Sequence, residues 1–519
     1  MDRGIAILDS MATADEVRKR PTVDLSLAEV SILFLVGVVA YFVFISQYLI
    51  HNHAPRLPWV PPEDNLGNGR WFNYILSYVQ YNADIPVFLP LLGIVMAVCT
   101  AQLSLKVWGL NLDRFERILT ASAIVAFPFS LSFFYYTFMT PLFYISWVFA
   151  GLAAWFSRRD SWLSVAVACL LVLLTFASYQ ASIGVFAVLV VTAAIADLSH
   201  KQSGVEVPAR QVLVRLAAGG VALIIGLLLY ALSLKLLAIS PPGKTSIPEI
   251  AQLPAMILTS GRAAFLHLWK TQPELMRGQK TLLVIILGTA VLMSAYNVRR
   301  SPSRLGLVTI LWVGAILASK LIFMIVNIPP GSAFEYRYTT ALGFFHAFTI
   351  GYVLAQLEGA RPAIRYTALA IVAVLVVRFV QADLVRQAVL LRGQQHDLAI
   401  ANRMLDRIEM LPELDATKTY DFVRIGRYSN YRQNLMSYFG KKANFLGERH
   451  MDWGEITDIW VDEAVFEMLG SSVKFKKAFD AKHAEKAEHA KTNLLKGRKP
   501  WPDASSVFIS DQTIYVYMR

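Results

Sequence analysis

Eleven apolar segments, each bounded by polar or charged turns, decide what this chain can become. They lie near 29–50, 85–105, 119–135, 140–157, 162–178, 180–197, 214–238, 281–298, 305–327, 340–357 and 365–386. At about 1.5 Å per residue each reaches, or nearly reaches, across about 30 Å of hydrocarbon. A mean hydropathy of +0.47 and 55% hydrophobic residues exclude an ordinary soluble protein of 519 residues. The predicted fold is a polytopic α-helical membrane protein of about eleven transmembrane helices, with a small α+β domain after the last of them.

The loops between the segments alternate in charge. Lys106, Arg114 and Arg117 follow the second segment, Arg158 and Arg159 the fourth, and Lys201, Arg210 and Arg215 the sixth. Arg299, Arg300 and Arg304 follow the eighth, Arg361 and Arg365 the tenth, and Arg18, Lys19 and Arg20 precede the first. Short basic connections stay in the cytoplasm. Residues 1–28 are therefore expected to be cytoplasmic, 29–386 to form the membrane domain, and 387–519 to lie outside. The net charge of +12 is largely accounted for by these orientation signals, so no nucleic-acid partner is expected. Cys99 and Cys169 both fall inside apolar segments, leaving the exported part without a disulfide. His51 and His53 form an isolated pair, and His483 and His489 sit in a charged stretch. No metal site is expected from them.

Three groups of outward residues can do chemistry. Loop 51–84 is stiffened by Pro55, Pro58, Pro61 and Pro62 and turned at Gly67 and Gly69, with Glu63 and Asp64 between. From Arg70 onward, Trp71, Tyr74, Ile75, Tyr78 and Val79 recur with helical period, which predicts an amphipathic helix in the headgroup layer. Such a loop holds a carboxylate above the bilayer, where it can take a proton from a hydroxyl. The plainer alternative is an ion pair with Arg56 or Arg70, or an Asx-turn at Asp64. Loop 328–340 places Glu335 and Arg337 among Tyr336 and Tyr338. There Arg337 can fork onto a phosphate while the tyrosines face a sugar or anchor the loop. Tyr135 and Tyr136 close the third segment, and Tyr179 and Gln180 join the fifth and sixth, all on the outer side. A tight interhelical turn would explain Gln180 equally well.

Three cations lie within apolar runs. Lys235 can snorkel to the interface, whereas Lys320 and Arg378 are deeper and need a partner. A lipid phosphate would serve, and Asp383 is the alternative for Arg378. Loop 240–279 is expected to carry a surface helix acting as a lid or a lipid-entry wall. In the tail, 387–411 should continue the last membrane helix until Pro412, with local ion pairs among Asp397, Arg403, Asp406 and Arg407. Residues from Tyr420 read as a strand, 428–439 and 474–499 as helical, and the end as two strands about an Asp511-Gln512 turn.

The Glu63-Asp64 pair ahead of Gly67-Asn-Gly-Arg-Trp71, the Ser178-Tyr-Gln180 junction and the run Gly343 to Tyr352 resemble the bacterial and phage O-antigen glucosyltransferase family of serotype conversion. Gln394-Gln-His-Asp397 with the helical residues through Ile408, and the closing strands, fit the same family. That resemblance, over most of 29–519, implies a fold of the GT-C type in the bacterial inner membrane, with the carboxyl-terminal domain periplasmic. It implies transfer of a hexosyl group, glucosyl first, from a polyprenyl-phosphate donor to a lipid-linked or surface polysaccharide such as O-antigen. Glu63 or Asp64 would take the acidic catalytic position, with Arg70, Gln180 and Arg337 lining the substrate region. Tyr135, Tyr136, Tyr179, Lys320, Glu335, Tyr338 and Arg378 complete the candidate set. Membrane lipids, a flippase and a donor-synthesising glycosyltransferase would be partners. A divalent cation bridging carboxylate and phosphate is compatible with the residues, though nothing requires one. A lipid-linked saccharide transporter and a structural assembly protein of envelope polysaccharide synthesis are the competing readings.

Overall fold

The computed structural model describes residues 25–47, 49, 63–79, 85–134, 136–199, 207–239, 250–269, 275, 278–325, 338–426, 459–476 and 481–518. Among them seven helices are long and apolar enough to cross a membrane: Phe88–Trp108, Arg114–Phe134, Thr137–Ser157, Gln180–Ser199, Ala209–Leu236, Gln279–Val298 and Pro362–Arg392. Four more apolar helices, Leu27–Ala40, Trp162–Ser178, Pro302–Ala318 and Ala341–Gln356, have 14 to 17 residues. Their rise of about 21–26 Å falls short of the hydrocarbon thickness. Seven is thus what length and composition support alone, and the expected eleven needs all four short helices to cross as well. The first is continued by Phe42–Ser46 beyond a break at Tyr41, and the third by Ile322–Ile325.

Burial separates an inner layer from an outer one. The Arg114–Phe134, Thr137–Ser157 and Gln180–Ser199 segments are largely enclosed, whereas Ala209–Leu236 and Gln279–Val298 bury under a third of their length. Lipid offers no hydrophobic drive between helices, so close packing and buried polar bonds must hold them. Gly226 lets the Ala209–Leu236 helix press on Val172, where a Cβ would come within 2.4 Å of the valine. Trp108 donates to Thr192 at 2.9 Å and Trp312 to Ser294 at 2.8 Å. The break at Tyr41 is repaired from a distance of more than three hundred residues. Gln387 donates to the Ala40 carbonyl at 2.6 Å and accepts from the Val43 and Phe44 amides at 3.1 and 3.2 Å.

The basic loops gather at one end of the bundle. Capping boxes at Ser26/Glu29 and Asp113/Glu116 start two helices there. The capping glutamates then pair across helices, Glu29 with Arg117 and Glu116 with Arg365, both at 2.7 Å. Asp197 accepts from Arg158 and Arg215 at 2.9 and 3.0 Å. The aromatic and polar junctions lie at the opposite end.

The Pro362–Glu409 helix runs without a break from the membrane segment into the tail and stops just before Pro412, as expected. Strands β1 (Thr419–Ile425), β2 (Lys474–Phe475), β3 (Val507–Ser510) and β4 (Thr513–Tyr517) form one mixed sheet in the order β2-β1-β4-β3. β1 is parallel to β2 and β4, and β3–β4 is an antiparallel hairpin. Alternation along β1 sends Tyr420 and Phe422 toward Met404, Ile408 and Phe466, and Val423 and Ile425 toward Ala487 and Ala490. The expected Asp511-Gln512 turn is present, both residues at positive φ (48° and 54°), as a two-residue hairpin of type I′ requires. Two expectations are corrected. Among the described residues Arg407 makes no ion pair but donates to the Pro502 and Asp503 carbonyls, because the 501–503 turn folds over its face of the helix. Region 474–499 is not one helix, since β2 opens it and the helix begins at Ala481. The helix expected at 428–439 lies outside the described residues.

Candidate functional site

Ahead of the first long apolar helix the chain forms a helical turn, Glu63–Gly67, followed by the Trp71–Val79 helix. Asn73 and Ser77 of that helix are buried, while Ile75, Tyr78 and Val79 are exposed. Polar side chains face protein and apolar ones face outward, the reverse of a water-facing helix and the polarity of one lying in a headgroup layer. The expected amphipathic element is therefore present.

Its anchorage assembles several candidate residues. The Arg70 guanidinium stacks 5.0 Å from the Tyr179 ring centroid, and its Nε reaches Gln180 Oε1 at 3.4 Å. Gln180 Nε2 donates to the Asn68 carbonyl at 2.9 Å and to the Tyr230 hydroxyl at 3.0 Å. Trp71 Nε1 donates to Ser233 at 2.9 Å, and Asn73 Nδ2 to the Ser178 carbonyl at 2.8 Å. Tyr179 packs on Phe143 and Phe133, and Tyr136 meets Phe143 edge-on. An aromatic wall thus backs the arginine.

Lys320 is wholly enclosed, with its Nζ 5.4 Å from the Phe323 ring centroid. Phe323 in turn meets Tyr338 edge-on at 6.0 Å. Ile322–Ile325 packs on the Gln180–Ser182 turn. Absence of a side chain at Gly184 lets the Ala318 carbonyl and Ala341 lie within 3.3 Å of where its Cβ would stand. Arg70, Tyr136, Tyr179, Gln180, Lys320 and Tyr338 therefore share one end of the bundle.

The remaining candidates stand differently. Glu63 and Asp64 belong to the helical turn, their side chains lying outside the described residues. Tyr135, Glu335 and Arg337 lie outside them altogether. Arg378 does not pair with Asp383: it donates to Gln381, three residues on, at 3.1 Å. Asp383 points inward with both oxygens enclosed, beside Arg386, whose guanidinium donates to the Pro128 carbonyl at 3.2 Å. Consecutive helix positions 100° apart explain why two charges five residues distant part company. Lys235 is exposed at the last turn of its helix, in keeping with snorkelling. The expected surface helix in loop 240–279 is Leu253–Trp269, held against the bundle by Ser260 donating to the Phe323 carbonyl. Among the described residues no group of three or more His, Cys, Asp or Glu side chains gathers to hold a metal. A groove of about 460 Å³ between Trp162–Leu170 and Ile225–Leu229 is lined by apolar residues and Cys169, with no acid or base for catalysis.

Sequence reasoning missed Tyr230, Asn73 and Ser233. Asn73 was signalled by its place on the polar side of the amphipathic helix. Tyr230 and Ser233 had no local signal, since both sit in a long apolar run.

The model of the family described as glucosyl transferase GtrII matches residues 41–348. The chain belongs to that family. The match takes in the acidic turn, Arg70, the Tyr179-Gln180 junction, Tyr230, Lys320 and Tyr338 together. No curated protein matches the chain. GtrII membership makes it a membrane enzyme of sugar transfer, with the tail beyond residue 348 lying outside the matched part.

Proposed function

We infer that this GtrII chain transfers a hexosyl group, glucosyl first, from a polyprenyl-phosphate donor to a hydroxyl of a lipid-linked or surface polysaccharide of the O-antigen kind. The acceptor oxygen attacks the anomeric carbon, and the bond from that carbon to the phosphate oxygen breaks. Glu63 or Asp64 takes the acceptor proton, and the donor leaves as polyprenyl phosphate. Preorganised cations stabilise charge on that leaving group, the part assigned to Arg70, Lys320 and Arg337. Tyr135, Tyr136, Tyr179, Glu335 and Tyr338 line the sugar region. In this reading the four shorter apolar helices cross along with the seven long ones, residues 1–28 are cytoplasmic, and 387–519 is periplasmic. A flippase and the enzyme that makes the donor act upstream.

One observation carries the reading: the acid-bearing turn, the Arg70–Tyr179 stack and the enclosed Lys320 converge at the end of the bundle away from the basic loops. Cations gathered at one end of the bundle suit a lipid phosphate, whose charge they would meet at a membrane surface. The test replaces Glu63 by Gln and Asp64 by Asn, separately, in chains of equal abundance, with polyprenyl-phosphate glucose as donor. Loss of transfer in one of them is expected. Undiminished transfer in both removes the acids from the mechanism, and loss of lipid translocation with transfer retained favours a transporter.

A further inference from the structure

The residues that follow the acidic pair are gripped by the membrane helices more firmly than a loop on a bilayer surface requires. Arg70 N donates back to the Asn65 carbonyl and Gly69 N to the Leu66 carbonyl, both at 2.9 Å, closing the turn on itself. On that turn converge the amide of Gln180 and the hydroxyl of Tyr230. Gln180 donates to the Asn68 carbonyl and to Tyr230, and Tyr230 donates to the Gly69 carbonyl at 3.3 Å. A primary amide has two N–H donors, and both of these are used. Its oxygen faces Arg70. Gln180 therefore has little left to offer a sugar, although its sequence position suggested a substrate ligand.

We propose that Tyr230 is a positioning residue, which with Gln180 fixes the 65–70 turn and so sets where Glu63 and Asp64 stand relative to the reacting sugar. The proposal rests on the catalytic reading of those acids. Tyr230 is almost fully buried in the Ala209–Leu236 helix, and its ring stacks on Phe176 with centroids 5.4 Å apart. The ring belongs to the bundle; the hydroxyl alone reaches the loop. One turn further, Ser233 takes the indole N–H of Trp71 and itself donates to the Tyr230 carbonyl at 2.7 Å. Gly69 completes the fit twice over. Its φ of +75° suits glycine, and a Cβ there would stand 2.6 Å from the Tyr230 oxygen. A hydroxyl placed where only a glycine can pass specifies a single turn geometry.

The experiment uses the full chain with Cys99 and Cys169 changed to Ala, in proteoliposomes supplied with polyprenyl-phosphate glucose. Tyr230→Phe keeps the stacked ring and removes only the oxygen. A fall in kcat of about ten- to a hundredfold is expected, the cost of a misplaced catalytic group, with the donor KM unchanged. A Leu66→Cys reporter in the same background should react several-fold faster with a membrane-impermeant maleimide once Tyr230 is Phe. Gly69→Ala should be more damaging with Tyr230 present than with Phe in its place, because the clash is with the oxygen. Unchanged kcat and unchanged labelling overturn the proposal, as does a raised donor KM at constant kcat, which would make Tyr230 a ligand of the donor. If even the parent chain transfers no sugar, the catalytic reading falls. The labelling then decides the latch alone, faster reaction supporting it and equal reaction overturning it. Should Tyr230→Phe fail to accumulate, Ser233→Ala is scored on the same readouts.

Discussion

Gln387 offers the most quantitative test of how this bundle is held. Replacing it by Leu keeps the volume and strips the amide, leaving the Ala40 carbonyl and the Val43 and Phe44 amides without the partner that now serves all three. Each backbone group that loses this bond costs ~1–2 kcal/mol, a total of ~3–6 kcal/mol. Water has little access at Ala40, Tyr41 and Phe44, which are buried, and reaches Val43 only in part, while Phe42 faces outward. At about 2 °C per kcal/mol for a large domain, the midpoint of thermal aggregation in detergent should fall by about 6–12 °C. Gln387→Glu keeps an oxygen for the two amides but loses the N–H donated to Ala40. Gln387 is fully buried, so the new charge would be enclosed too, and its drop should be at least as large. A Leu variant within about 1 °C of the parent would refute the clasp and mean that the break at Tyr41 satisfies its own backbone.

Two further outcomes are expected. Asp197→Asn removes the counter-charge shared by Arg158 and Arg215 and should lower stability by about 3 kcal/mol, the low end for a buried pair because both guanidiniums reach water, read as a thermal midpoint. In the tail, burial alone would raise the Asp421 carboxyl, but the hydrogen bond and charge of Lys486, then Lys476, outweigh it and hold it below the usual aspartate range. A depressed folded-state value gives stabilisation that is complete above the unfolded aspartate pKa and is lost as pH falls through the lower, folded one. Protease resistance of the tail in the full chain should follow that acid limb, and Asp421→Asn should flatten it.

The membrane helices were legible because lipid leaves the backbone only one local solution, and an apolar run with charged ends announces it. The Trp71–Val79 helix and the Asp511-Gln512 turn were legible for an equally local reason, a period in one and a demand on φ in the other. The bonds that organise the site were not. Gln387 serves residues 344 and 343 positions away, and Tyr230 one 161 positions away, so no window of sequence contains both partners. Arg378 and Asp383 show the opposite error, in which proximity along the chain suggested a pair that helical rotation pulls apart. Of the four shorter runs, 29–50 and 305–327 were read past the points where their helices break, at Tyr41 and after Ala318, whereas 162–178 and 340–357 match their helices almost end for end and are simply short.

The outward faces of Ile75, Tyr78 and Val79 carry a practical consequence for handling the enzyme. A purification that thins the amphiphile layer around the bundle would strand those side chains in water at the very segment adjoining the acidic turn. Activity would then fade while the transmembrane core still passed every test of foldedness, and returning the preparation to a bilayer should bring it back.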